Sequence, residues 1–178
     1  MTTIQRQLRR GTTSQIGAMT PAVGELIYDT ARKGLAVGDG ATAGGHVVVY
    51  GYEEGTFTPA LEFSGSAVGL TYSSRSASYT KIGNRILAEI NINLTSKGSS
   101  TGSAKITGLP FALNGPPFSI ANVWVFAMGS GISSPAGWLE PSTSLINLTN
   151  LSAGGIAAIA DTDFTDTSQL FLTISYRI

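Results

Sequence analysis

The alternation in RILAEININL constrains this chain more than any other stretch. Ile86, Ala88, Ile90, Ile92 and Leu94 are apolar, while the residues between them include Arg85, Glu89, Asn91 and Asn93. Successive side chains of an extended strand point to opposite faces, so the pattern predicts a strand with one buried and one wet face. LFLTISYRI repeats it, with Leu170, Leu172, Ile174, Tyr176 and Ile178 on one side and Thr173, Ser175 and Arg177 on the other. A strand this regular is expected to be tied into a sheet to its last residue. ANVWVFAM differs, because Val123, Val125 and Ala127 oppose Trp124, Phe126 and Met128, and both faces are apolar. It reads either as a central strand covered on both sides or as a strand facing a neighbouring subunit. With such neighbours, Trp124 is expected in the core.

Helix signals are scarce, and the predicted strands are separated by turn-rich segments: TSKGSSTGSA, LNGPPFS, GSGISSPAGWLEPS and DTDFTDTSQ. The expectation is an all-β chain whose larger part is a jelly-roll-like β-sandwich. The first fifty residues read differently. Short strand-like pieces (GELIYD, KGLAV, HVVVYGY) alternate with glycine turns, and Arg6, Arg9, Arg10, Arg32 and Lys33 supply five of the eleven basic residues. Such fragments bury little alone, and copies of the chain or a larger particle would supply the missing burial. The boundary falls near GYEEGT, giving a small glycine-rich N-terminal β module (1–52) and a β-sandwich head (53–178).

Charged residues make up only 12% of the sequence and the net charge is zero. That argues against nucleic acid as the partner, since phosphate binding needs clustered cations. The 42% hydrophobic content does not form an apolar run of membrane-spanning length, and MTTIQRQLRRG lacks the apolar region of a signal peptide. No membrane insertion is expected. A chain this poor in charge instead suggests surface hidden in an oligomer.

Cysteine is absent and His46 is the single histidine, which removes thiolate metal sites and cysteine nucleophiles. GDGATA fits the loose dinucleotide pattern, but a pyrophosphate needs a helix N-terminus after the loop. Here Gly44, Gly45 and a valine run follow. Strand–turn–strand is the expectation, with Gly38 and Gly40 free to take positive φ and Asp39 bonding nearby N–H groups. DTDFTDT, with Asp161, Asp163 and Asp166, fails the EF-hand pattern because Thr165 and Asp166 hold its fifth and sixth positions. It reads first as a solvated loop, and alternatively as a weak cation or sugar contact. His46 has no Ser in a G-x-S-x-G context and reads as a surface or interface residue. Glu53, Glu54, Glu62, Glu89, Glu140 and the aspartates offer no pair at a set distance for glycoside hydrolysis. Neither a catalytic residue nor a cofactor or metal site is assigned. Trp138, in a loop by composition, either folds back onto the core or stacks on a sugar or protein partner.

Two stretches resemble known proteins. IQRQLRRGTTSQ, with TPAVGELIYDTARKGLAVGDGATAGG after it, resembles an N-terminal module of bacteriophage tail fibres and other virion appendages. GTFTPALEFSGSAVGLTYSSRSASYTKIGN, continuing through LTSKGSSTGSAKITGLPF, resembles a terminal domain of tail fibres and tailspikes. The resemblance covers roughly residues 4–111 and several spaced motifs occur in the family's order. It implies an intertwined homotrimeric virion protein rather than an enzyme, assembled in the host bacterial cytoplasm. The N-terminal module would attach it to tail, collar or capsid proteins through Arg6, Arg9, Arg10, Asp29 and Asp39. The head would contact a host cell-surface glycan, with Trp138, Asp161, Asp163 and Asp166 as candidate receptor residues. No coiled-coil, collagen-like or β-helix repeat stands between the modules, so a fibre shaft is not expected. A short fibre or spike leads the functional reading. A particle-stabilising decoration of capsid, collar or tail is the alternative, and a glycan-degrading tailspike the least favoured.

Overall fold

The structure, a computed structural model, describes residues 8–49, 51–115, 118–129, 131–152 and 154–178. Arg6 lies outside the described residues. The chain divides into two compact units, Met1–Glu53 and Glu54–Ile178.

The first unit is a four-stranded sheet in the order β1 (Arg9–Gly11), β2 (Leu26–Asp29), β3 (Gly34–Val37), β4 (His46–Val49). β1 and β2 are parallel, and a parallel pair needs a crossover. The connection carries a five-residue helix, α1 (Thr13–Gly17), closed by a capping box in which Thr12 and Gln15 bond each other's backbone N–H groups. This helix is absent from the strand-based reading, although Thr12-x-x-Gln15 is its signature. Ile16, Ile27 and Ala36 form the small buried side of the sheet.

The second unit is all-antiparallel in its registered pairings. Its strands are β5 (Tyr52–Phe57), which straddles the division, then β6 (Ala60–Phe63), β7 (Leu70–Ile82), β8 (Arg85–Lys97), β9 (Ala104–Thr107) and β10 (Ser119–Phe126). β11 (Pro135–Leu139), β12 (Ile146–Ser152), β13 (Gly155–Ala158) and β14 (Gln169–Arg177) complete it. One hydrogen-bonded path runs β5-β7-β8-β14-β10-β11-β12-β9-β6, with β13 appended to β12. The ends of that path are β5 and β6, which only Thr58 and Pro59 separate in sequence. The sheet must therefore curl back on itself, and the expected sandwich is one sheet folded into two layers.

The alternating residues of β8 and β14 point into this curl. Ile86, Ala88, Ile90, Ile92 and Leu94 meet Leu170, Leu172, Ile174 and Tyr176 in one buried cluster with Leu61, Phe63, Ile106 and Leu148. Two expectations are corrected. Trp124 is not in the core: it is 64% exposed, because Ala121 is the buried residue of β10 and the register sends Trp124 to the opposite face. Trp138 lies on strand β11 rather than in a loop, paired with Ile120 and Asn147. Short strands rich in Gly, Pro and Ser form when both neighbours supply a ladder, whatever their own propensity.

Tyr176 carries a fully buried hydroxyl that meets no hydrogen-bond partner among the described residues. Burial pushes its pKa up to about 12; the Phe111 backbone opposes that without completing a bond. A folded-state value above the unfolded one means stability held below about pH 10 is lost as pH rises through the folded value. Tyr176→Phe removes an unpaired polar group, so denaturant unfolding at pH 7 is expected at an unchanged or higher midpoint. The variant should also lose less stability than the parent between pH 10 and 12. Ile92→Ala, by contrast, should cost about 2–5 kcal/mol.

Candidate interaction surfaces

The GDGATA loop joins two antiparallel strands, β3 and β4. Asp39 holds its shape: one carboxylate oxygen accepts from the Ala41 N–H at 2.9 Å and the Thr42 N–H at 2.7 Å. The other oxygen takes the Thr42 hydroxyl and His46 Nε2. These bonds, the Thr42 hydroxyl first, hold the carboxyl well below the usual carboxylate range. The N–H groups a phosphate would need are thus taken from within. Gly40 adopts φ +78°, as expected of the turn. Gly38 is required for another reason: a Cβ there would fall 2.1 Å from the Ala22 carbonyl oxygen.

Asp29 closes a second turn. It is buried, and accepts from the Thr13 hydroxyl at 2.7 Å and from the Ala31 and Arg32 N–H groups at 3.0 Å each. Desolvation pushes its pKa up, but the hydrogen bonds together outweigh that and lower it. Arg9 pairs with Glu25 at 3.0 Å, while Arg10 is exposed on β1. Of the residues expected to attach the module, Asp29 and Asp39 therefore build its turns, and Arg10 is presented outward. The other side of this sheet is mixed: Leu26 pairs with Val37 and Tyr28 with Leu35, Arg10 stands opposite Tyr28 and His46 opposite Val37, and Leu26 and Tyr28 are exposed.

In the head, register sets the outward residues in rows across β7, β8, β14 and β10. One row reads Ser76, Asn91, Phe171, Trp124 and the next Ser78, Glu89, Thr173, Asn122. They line an open groove of 640 Å³. Trp124 and Phe126 lie 4.5 Å apart between ring centroids, and Phe171 lies 6.3 Å from each. Ile120, 74% exposed, extends this apolar surface along β10. Trp138 lies beside it on β11, half-buried, with Phe118 edge-on at 5.3 Å. The side-chain oxygens of Asn91 and Asn93, which face the same way, meet no partner among the described residues.

Trp138 is not brought together with the three aspartates. Asp161 and Asp163 form a 3-10 turn, and Asp161 accepts from the Gly102 N–H at 2.7 Å with Lys97 Nζ at 4.0 Å. Asp163 accepts from the Ala160 N–H and Asp166 from the Lys97 N–H, each at 2.9 Å. Asp166 ties the loop to the end of β8, Asp161 ties it to Gly102, and Asp163 closes the turn on itself. Among the described residues no group of His, Cys, Asp or Glu is placed to hold a metal ion, and no helix is long and apolar enough to cross a membrane. Of the two apolar faces read in ANVWVFAM, the one with Trp124 and Phe126 is exposed.

Residues 7–42 match the family model of the major tropism determinant N-terminal domain. The Dettilon tailspike protein (gp208) superposes with a TM-score of 0.61 at 21% identity, over 71% of this chain and 24% of the tailspike. The two share a fold, and this chain spans about a quarter of the tailspike's length. The U1 and I1 variants of the major tropism determinant align at 19% identity over 84% and 82% of this chain and 49% and 38% of theirs. Their TM-scores of 0.26 and 0.25 are too low to compare folds. No curated protein sequence matches the chain. The chain resembles bacteriophage tail-fibre proteins, as its motifs imply.

Asp39 gives a pH-dependent test of the N-terminal turn. Its depressed folded pKa means that its contribution is complete above the unfolded value of about 3.9 and is lost as pH falls through the folded one. Asp39→Ala should lower hydrogen-exchange protection in residues 34–49 at pH 6. The difference from the parent should shrink on acidification below about pH 4.

Proposed function

We propose that this protein is a non-enzymatic bacteriophage virion appendage, a short homotrimeric fibre or spike. Its N-terminal module joins the particle and its β head contacts the host surface. The observation that carries the reading is that each unit exposes large apolar side chains together on one sheet face. In the module these are Leu26 and Tyr28. In the head these are Trp124 and Phe126. Clustered exposed apolar side chains mark interaction surfaces, and a chain with 12% charged residues has little charge to keep them apart.

The two faces suit different partners. The module's match to a tropism-determinant N-terminal domain supports its role as the attachment element. The head's aromatic face suits copies of itself, since three aromatic rings in mutual contact form the well-packed, desolvated centre that obligate interfaces bury. Trimerisation then brings three heads to the host surface together, and avidity turns weak contacts into firm capture.

Sedimentation should give a trimer for the parent, and Trp124→Ser/Phe126→Ser should dissociate it while circular dichroism keeps its strand signal. A parent that sediments as a monomer of 18.4 kDa overturns the trimer. A chain lacking residues 1–50 should fold, block adsorption of the phage to its host when added in excess, and fail to enter particles. Incorporation of that shortened chain refutes the attachment role. Absence of any block by the full-length protein refutes host contact.

A further inference from the structure

Arg85 opens β8 and Arg177 closes β14, and the register makes them direct partners across the two strands. Their neighbours Ile86 and Tyr176 are fully buried, so both guanidinium groups leave on the outer face, where both residues are exposed. Like charges directly opposite one another on a sheet face are destabilising. Neither arginine has an ion-pair partner among the described residues, in a chain with as many acidic as basic side chains. Beside them lies an open groove of 400 Å³ that also takes in Asn114, Ser175, Phe118 and Ile120. Phe118 is 59% exposed and braced edge-on by Trp138.

The geometry points to a subsite for an acidic glycan at this end of the head, Arg85 and Arg177 together taking the anionic group of one sugar. Paired guanidinium forks match the oxygens of a carboxylate or phosphate, and an anion between them relieves their mutual repulsion. The exposed Phe118 ring and Ile120 offer an apolar platform for the C–H face of a sugar ring. Asn114 and Ser175 supply an amide and a hydroxyl for its polar edge. Two cations on a chain of zero net charge are too few for a nucleic-acid track. An unneutralised like-charge pair is also out of place at the centre of an interface between copies. The subsite lies at the Arg85 end of β8 and adjoins the aromatic groove, with Ser175 two residues from Thr173 along β14 and Ile120 two from Asn122 along β10.

The subsite rests on the reading of the head as the host-contact element, and one experiment separates the two. The full-length protein is titrated with methyl glucuronide, glucose 1-phosphate and neutral methyl glucoside, read by ligand-observed NMR at low and high salt. One or both acidic sugars should bind, the better one identifying carboxylate or phosphate as the source. The neutral glycoside should bind about tenfold more weakly or worse, and salt should weaken the acidic sugar. Arg85→Gln/Arg177→Gln should lose about tenfold or more in affinity for the acidic sugar. It should melt no lower than the parent, because a repulsive pair has been removed. Equal binding by parent and variant, equal binding of acidic and neutral sugars, or no binding of either acid overturns the subsite. A variant that sediments at a lower assembly state also overturns it, by making the arginines a contact between copies. In adsorption competition, equal blocking by parent and variant sinks the subsite and leaves host contact intact. Failure of the parent to block, with acidic-sugar binding retained, sinks host contact and leaves the chemistry of the subsite standing.

Discussion

The pairing of β8 with β14 decides what the head buries and what it shows. Nine residues of each strand stand opposite one another, from Asn93 and Gln169 to Arg85 and Arg177. Because side chains alternate, one register fixes both faces at once, and a one-residue slip would turn every isoleucine outward. Burying an Ile- or Leu-sized side chain contributes about 1.5–3 kcal/mol, so the inward set of these two strands holds the register firmly. β7 and β10 then inherit their positions from the ladder on either side. The aromatic row, the asparagine side-chain oxygens without partners and the opposed arginines are all consequences of that single alignment.

The two units are held by different physics. The head has a continuous apolar cluster running from Leu61 to Tyr176. The N-terminal unit has Ile16, Ile27 and Ala36, and relies on turns closed by Asp29 and Asp39 and on glycines where the chain passes close to itself. A unit with so little buried surface is marginal alone and gains most from a partner. Leu26 and Tyr28 are the exposed apolar side chains of its strand β2, and its carboxylates close its turns.

Strands β8 and β14 were legible because their inward and outward residues differ in kind at nearly every step, Leu87 and Phe171 excepted. The turn at Gly38–Gly45 was legible because Gly44, Gly45 and the valines after them leave no place for a helix. β11 was not, since Pro135, Ala136 and Gly137 carry turn composition and become a strand only between β10 and β12. Helix α1 was readable from Thr12 and Gln15 but is only five residues long, too short to leave a helical period. Among the candidate contact residues, the structure commits Asp161, Asp163 and Asp166 to backbone N–H groups of Gly102, Ala160 and Lys97. The sequence shows which residues can accept a bond, and not which donor will be near.

By itself the sequence determined that the chain is all-β, where its two most regular strands lie, and that the glycine-rich loop is a turn. Each of these is a local property, carried by side-chain alternation or by backbone freedom over a few residues. Tertiary structure alone decided which face of ANVWVFAM would be left bare, and that Arg85 would face Arg177. Both depend on how a sheet of non-neighbouring strands curls and registers. The sequence of a strand names its two faces, but only the neighbours on either side determine which of them is covered.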